Sequence, residues 1–176
     1  MIRIKEDFLT KNEYSRPMRE LKDVLGVVIH YVGVPAQRAA QTVSYFESLK
    51  HGKDKIYASA HYIIDLDGSV IHCIPNNELA YHCGAEKYKD GICDKLGPYP
   101  NLTTLGIELC HNKDGFTMET VNSAVELASN LLKAYELTEK DLYRHYDITG
   151  KLCPKFYVEH EDSWEAFKNA VMKKLS

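Results

Sequence analysis

The chain has 176 residues, enough for one compact domain with a buried core. Hydrophobic residues make up 44% and charged residues 27%, the balance of an ordinary globular protein. The formal charge of -3, from 25 acidic against 22 basic residues, offers none of the basic footprint that phosphate-backbone binding requires, so no nucleic-acid partner is expected.

Residues 1–23 are polar and read as an irregular N-terminal arm. Charges interrupt each apolar run there, so neither a secretory signal nor membrane insertion is expected. Synthesis in the cytoplasm is therefore predicted, with an exit route supplied from elsewhere if the target lies outside. Leu25 to Tyr31 is apolar and β-branched, the pattern of a strand covered on both faces, and Gly33 and Pro35 end it. Ala36 to Lys50 carries Ala36, Ala39, Val43, Phe46 and Leu49 at helical spacing, with Gly52 near the C-terminal cap. His61–Leu66 and Ser69–Ile74 flank Asp67-Gly68 and predict a hairpin in which both turn residues take positive φ.

Residues 75–102, rich in turn formers, read as a long surface excursion, and its insertion-like stretch Glu86 to Pro100, which carries Tyr88, Cys93 and Tyr99, is expected to contribute to a groove. Thr103 to Cys110 is a further strand. An amphipathic helix follows, with Val121, Val125, Ala128, Leu132 and Tyr135 on its stripe. Leu142 to His145 predicts a short strand. A last helix opens at Asp162, with Glu165 placed for a capping box and Trp164, Phe167, Val171 and Leu175 buried. The sum is an α/β single domain spanning 1–176, with a mixed sheet of about five strands flanked by helices.

Five cysteines at scattered positions argue against a disulfide framework, and Cys73, Cys83, Cys93 and Cys110 read as small buried thiols. Cys153 differs. In His145-Tyr146-Asp147-Ile148-Thr149-Gly150-Lys151-Leu152-Cys153-Pro154, a bend at Gly150 can bring an imidazole and a thiolate together, a donor pair that suits Zn²⁺. His30, ending the central strand, is the best third ligand, and three protein ligands leave the open position of a catalytic site. Spacing alone leaves the alternative of a surface histidine and a structural thiol.

The segments VVIHYVG, SAHYIIDLDGSV, AYHCG, LGIELCHN and RHYDITGKLCP occur in that order. Together they resemble the type-2 N-acetylmuramoyl-L-alanine amidase family, which includes phage endolysins, bacillus-type cell-wall amidases and peptidoglycan-recognition proteins. The resemblance runs from Leu25 to Pro154. It implies His30, His145 and Cys153 as Zn²⁺ ligands, Glu108 as general base and proton shuttle, and Lys151 as the cation beside the developing oxyanion. Some relatives place a tyrosine before the first hairpin histidine for the proton role; Ala60 stands there, which leaves it to Glu108. His82, in the loop flanking the cleft, His61 and Tyr31 are expected to line the substrate site, His61 in a supporting or structural role. Tyr81 replaces a more usual tryptophan, and Val32 a small hydroxyl residue.

The implied activity is cleavage of the amide between the lactyl group of N-acetylmuramic acid and L-alanine in peptidoglycan, after release of the protein to the wall. Two alternatives stand beside it: a module that holds muropeptides without cutting them, and an amidase of intracellular muropeptide recycling. Glu108 and Lys151, added to a full ligand set, favour an enzyme. The oligomeric state is not legible, and a monomer is the expectation.

Overall fold

The computed structural model describes residues 2–175. Six strands form one sheet in the order β1 (Ile4–Glu6), β4 (Val70–His72), β3 (Tyr62–Ile64), β5 (Thr104–Leu109), β2 (Gly26–Tyr31) and β6 (Leu142–Arg144). All pairings are parallel except the β3–β4 hairpin. The sheet has one strand more than expected, because the arm read as irregular contains β1. Its three residues are exposed and carry no apolar alternation, so only pairing with β4 reveals them.

Helices α1 (Ala39–Ser48), α2 (Ile92–Leu96), α3 (Met118–Ala134), α4 (His145–Thr149), α5 (Lys155–Glu159) and α6 (Glu161–Leu175) complete the fold. Alternation along β2 and β5 decides which layer each residue meets. Val27, Ile29, Leu105, Ile107 and Leu109 face α3 and α6, joining Ala128, Leu132, Trp164, Phe167 and Val171 in the largest core. Val28 faces the other way, against Ile92 and Leu96 of α2, Tyr143 and Ile148. Ile63 packs with Ala39 and Phe46 of α1.

Several local expectations change. The β3–β4 turn is longer than two residues: Gly68 N–H donates to Asp65 O, Asp65 N–H donates to Ser69 O, and only Gly68 takes positive φ (78°). This is the three-residue loop with a left-handed glycine at the bulge. Helix α3 stitches the turn down, with Thr117, Thr120 and Ser123 hydroxyls donating to Leu66 O, Asp65 O and Gly68 O. The excursion at 75–102 holds α2 and a 3-10 turn at Pro100–Leu102, and it buries Leu79, Ala80 and Cys83. Cys93 is exposed, whereas the other four cysteines are buried, and all five are free. Helix α6 begins at Glu161, directly after α5, so Asp162 lies inside it and Glu165 pairs with Lys168 rather than capping. Among the described residues, no helix is long and apolar enough to cross a membrane.

Candidate metal centre and groove

Strands β2, β5 and β6 run in the same direction, so their C-terminal ends share one edge, the place where open α/β sheets hold ligands. His30 is the penultimate residue of β2 and pairs in register with Glu108, penultimate in β5. Paired residues of parallel strands present their side chains on the same face, so one period-2 pattern delivers both groups to one place. His145 follows the end of β6 as the first residue of α4, one step beyond the strand predicted to include it. Gly150 closes α4 with φ 82°, and Tyr146 N–H donates to Cys153 O (2.9 Å), which folds Cys153 back beside His145.

These placements bring one ligand atom each of His30, His145 and Cys153 within 4.8 Å of one another. His30 Nδ1 lies 3.1 Å from His145 Nδ1 and 3.8 Å from Cys153 Sγ. Tetrahedral Zn²⁺ with its usual bonds to nitrogen and sulfur has edges of about 3.3 Å between nitrogens and about 3.6 Å from nitrogen to sulfur. The donor set and its spacing therefore fit a metal of that kind.

The electrostatics agree with such a site. Burial, reinforced by His145 and other basic neighbours, holds His30 well below the usual imidazole range. Burial also lowers His145 to about 4, helped by Lys151, so both rings are neutral and each carries one lone pair. The Cys153 thiol is pushed up to about 12 by burial and then by Glu108, opposed by the Tyr31 backbone N–H and Lys151. A divalent cation reverses that preference, since it binds the thiolate and displaces the proton. Glu108 rises to about 8, chiefly through burial, with Lys151 pulling the other way. Its Oε2 is buried with no hydrogen-bond partner.

The three candidate ligands, Glu108, Lys151, Tyr31 and His82 all line one groove of about 1030 Å³. That volume is at the upper end of small-molecule sites. Lys151 is exposed at the rim, whereas the Tyr31 ring leans on His111 and Phe156. Tyr99 of the 86–100 stretch lines the groove too, whereas Tyr88 packs behind it beside Val28.

His61 stands outside the substrate groove it was expected to line, but takes the structural role also expected of it. It is fully buried and absent from the groove wall, with Nδ1 accepting from Gly106 N–H (3.0 Å) and Nε2–H donating to Glu78 O (2.9 Å). Its location on β3's approach, under the sheet edge, makes it a prop between β5 and the 75–84 loop. His82 is only 8% exposed, with its Nδ1 2.9 Å from His30 Nε2. Sequence reasoning missed that contact, and Gly106 carried its signal. A glycine inside a strand marks close approach, and a Cβ there would lie 2.6 Å from the His82 ring.

Residues 20–156 match the family described as N-acetylmuramoyl-L-alanine amidase. A probable N-acetylmuramoyl-L-alanine amidase of Bacillus licheniformis is 37% identical over 172 residues, covering 97% of this chain and 48% of that protein. The N-acetylmuramoyl-L-alanine amidase CwlL of the same organism is 34% identical, covering 97% and 47%. The chain thus spans about half the length of these relatives. Among solved structures, a mutant endolysin from Bacillus subtilis superposes with a TM-score of 0.76 at 24% identity, covering 97% of this chain and 99% of that one. The catalytic domain of XlyA gives 0.75 at 23%, again covering 97% and 99%. The fold, the convergent histidines and cysteine, and the sequence match over most of the chain agree: it belongs to the N-acetylmuramoyl-L-alanine amidase family.

Proposed function

We propose that the chain is a Zn²⁺-dependent hydrolase that cuts the amide between the lactyl group of N-acetylmuramic acid and L-alanine in peptidoglycan. The observation that carries this reading is the meeting of His30, His145 and Cys153 in one open groove with Glu108, whose Oε2 is unpaired. Zn²⁺ held by these three side chains would supply Lewis-acid polarisation of the scissile carbonyl.

The remaining work falls to the chain itself. Glu108 lines the groove with one carboxyl oxygen unpaired, placed to take a proton from the attacking water and return it to the departing amine. Lys151 places a cation at the groove rim, where it steadies negative charge developing on the amide oxygen. Tyr31, beside Cys153 and half-buried against Phe156, presents its ring to the substrate from the groove wall. The wall polymer is the partner, and no second protein is invoked.

Purified peptidoglycan incubated with the Zn²⁺-loaded protein tests the proposal. New L-alanine amino termini should appear, together with peptide-free glycan. Intact walls yielding no such termini would refute it, and cleavage of soluble muropeptides alone would redirect it to the recycling activity.

A further inference from the structure

Both ring nitrogens of His30 are engaged, and on opposite sides. Nδ1 faces His145 and Cys153, whereas Nε2 lies 2.9 Å from His82 Nδ1. His82 Nε2 in turn lies 3.2 Å from Thr104 Oγ1 and 3.3 Å from Thr104 O. The Thr104 hydroxyl donates to Pro100 O (2.7 Å). We infer that His82 is a positioning residue, which fixes the ring plane and tautomer of His30 so that Nδ1 is held as the metal-binding atom.

The direction of each hydrogen bond follows from its far end. Thr104 O can only accept, so His82 carries its proton on Nε2, and its Nδ1 presents a lone pair. That lone pair accepts from His30 Nε2–H. An imidazole protonated at Nε2 and neutral overall has its one free lone pair at Nδ1, the atom that faces the other two candidate ligands. This arrangement pairs both nitrogens of His82 and the Nε2–H of His30. The inference rests on the proposed metal reading and extends it: His82, which the sequence placed against substrate, acts through His30 instead.

The fold spends several residues on this placement. Asn101, 1% exposed, accepts from the backbone N–H groups of both His82 and Cys83 and so fixes the loop carrying the ring. Gly106 supplies the space: a Cβ there would come within 2.6 Å of His82 Cγ and 2.8 Å of its Nδ1. Thr104, Gly106 and Glu108 alternate on the site-facing side of β5, so one strand carries the anchor, the gap and the candidate base. Partners of this sort hold metal-ligating imidazoles in orientation, and their loss typically costs 10–100-fold in metal affinity.

The test measures Zn²⁺ affinity by competition with a chelator in three variants, with the melting point of each metal-free protein as a control on folding. His82→Leu removes the acceptor and should weaken Zn²⁺ binding about 10–100-fold. His82→Asn puts its amide oxygen near the position of Nδ1 and should recover most of that loss, although it fills the space less well. Gly106→Ala leaves His82 chemically intact but displaces its ring, and should weaken binding as the leucine variant does. Nitrogen-resolved NMR of the wild-type rings should show both His30 and His82 protonated at Nε2. Wild-type affinity in a folded His82→Leu protein would overturn the inference, as would an asparagine variant no better than leucine, or a His82 ring protonated at Nδ1. Wild-type protein that fails to bind Zn²⁺ at all would overturn the metal reading as well, so the two failures are distinguishable.

Discussion

Glu108→Gln in the metal-free protein is the sharpest test of the electrostatics. Burial raises the Glu108 carboxyl from 4.5 to about 8, so the folded chain holds a proton that the unfolded chain has released. A group raised in this way stabilises the fold fully below about pH 4.5, and that contribution drains away as pH climbs to about 8. Such a change in proton affinity amounts to roughly 5 kcal/mol at about 1.4 kcal/mol for each factor of ten. Water in the open groove reduces it to about 2–4 kcal/mol. Glutamine has nearly the shape of the protonated acid and never ionises. The variant should therefore match wild type at pH 4 and be the more stable protein at pH 9, by about 5–12 °C in melting point for a chain of this size. Chelator-treated samples melted at pH 4, 6, 7.5 and 9 would show the gap opening between the first and last. A gap that stays constant across that range would refute the reasoning, because it would mean that Glu108 ionises freely in the folded state. The same substitution should lower peptidoglycan hydrolysis by about 10²–10⁴-fold at its optimum.

Cys153→Ser should abolish stoichiometric Zn²⁺ binding, and with it the rise in melting point that Zn²⁺ gives the wild type, as metal titration with thermal unfolding will show. Lys151→Met should reduce kcat about 10²-fold with KM little changed, because the cation acts on charge that develops only during reaction. Arg144 forks onto Asp147 and also donates to Tyr157 O and the Glu161 carboxylate, tying α4, α5 and α6 together. A lysine has no fork, so Arg144→Lys should cost about 1–3 kcal/mol in urea unfolding. Gly68→Ala should cost about 1–3 kcal/mol by the same measure, since φ is 78° and the new Cβ would lie 2.8 Å from Glu119 O.

Much of this molecule is written in local pattern. The β-branched run at 26–31, the heptad-like stripe of α3 and the aromatic stripe of α6 each commit to one conformation, because burial of one face leaves few alternatives. Residue types also offered the candidate metal donors, a histidine ending a strand and a histidine and cysteine flanking a glycine bend, although the order of the family-like segments rather than their spacing favoured that reading. Strand β1 was not legible, since an exposed three-residue strand has no periodicity and exists only through its neighbour.

Distance was decided by the tertiary structure alone. That His30 and Glu108 share a register position follows from the pairing of β2 with β5, a contact between residues far apart in sequence. That His82 turns beneath His30, while His61 withdraws into the interior, depends on which backbone carbonyls and amides lie within reach of each ring. A sequence lists donors and acceptors, but hydrogen bonds and ligand sets depend on angstroms and angles, which come into being only when the sheet closes around them.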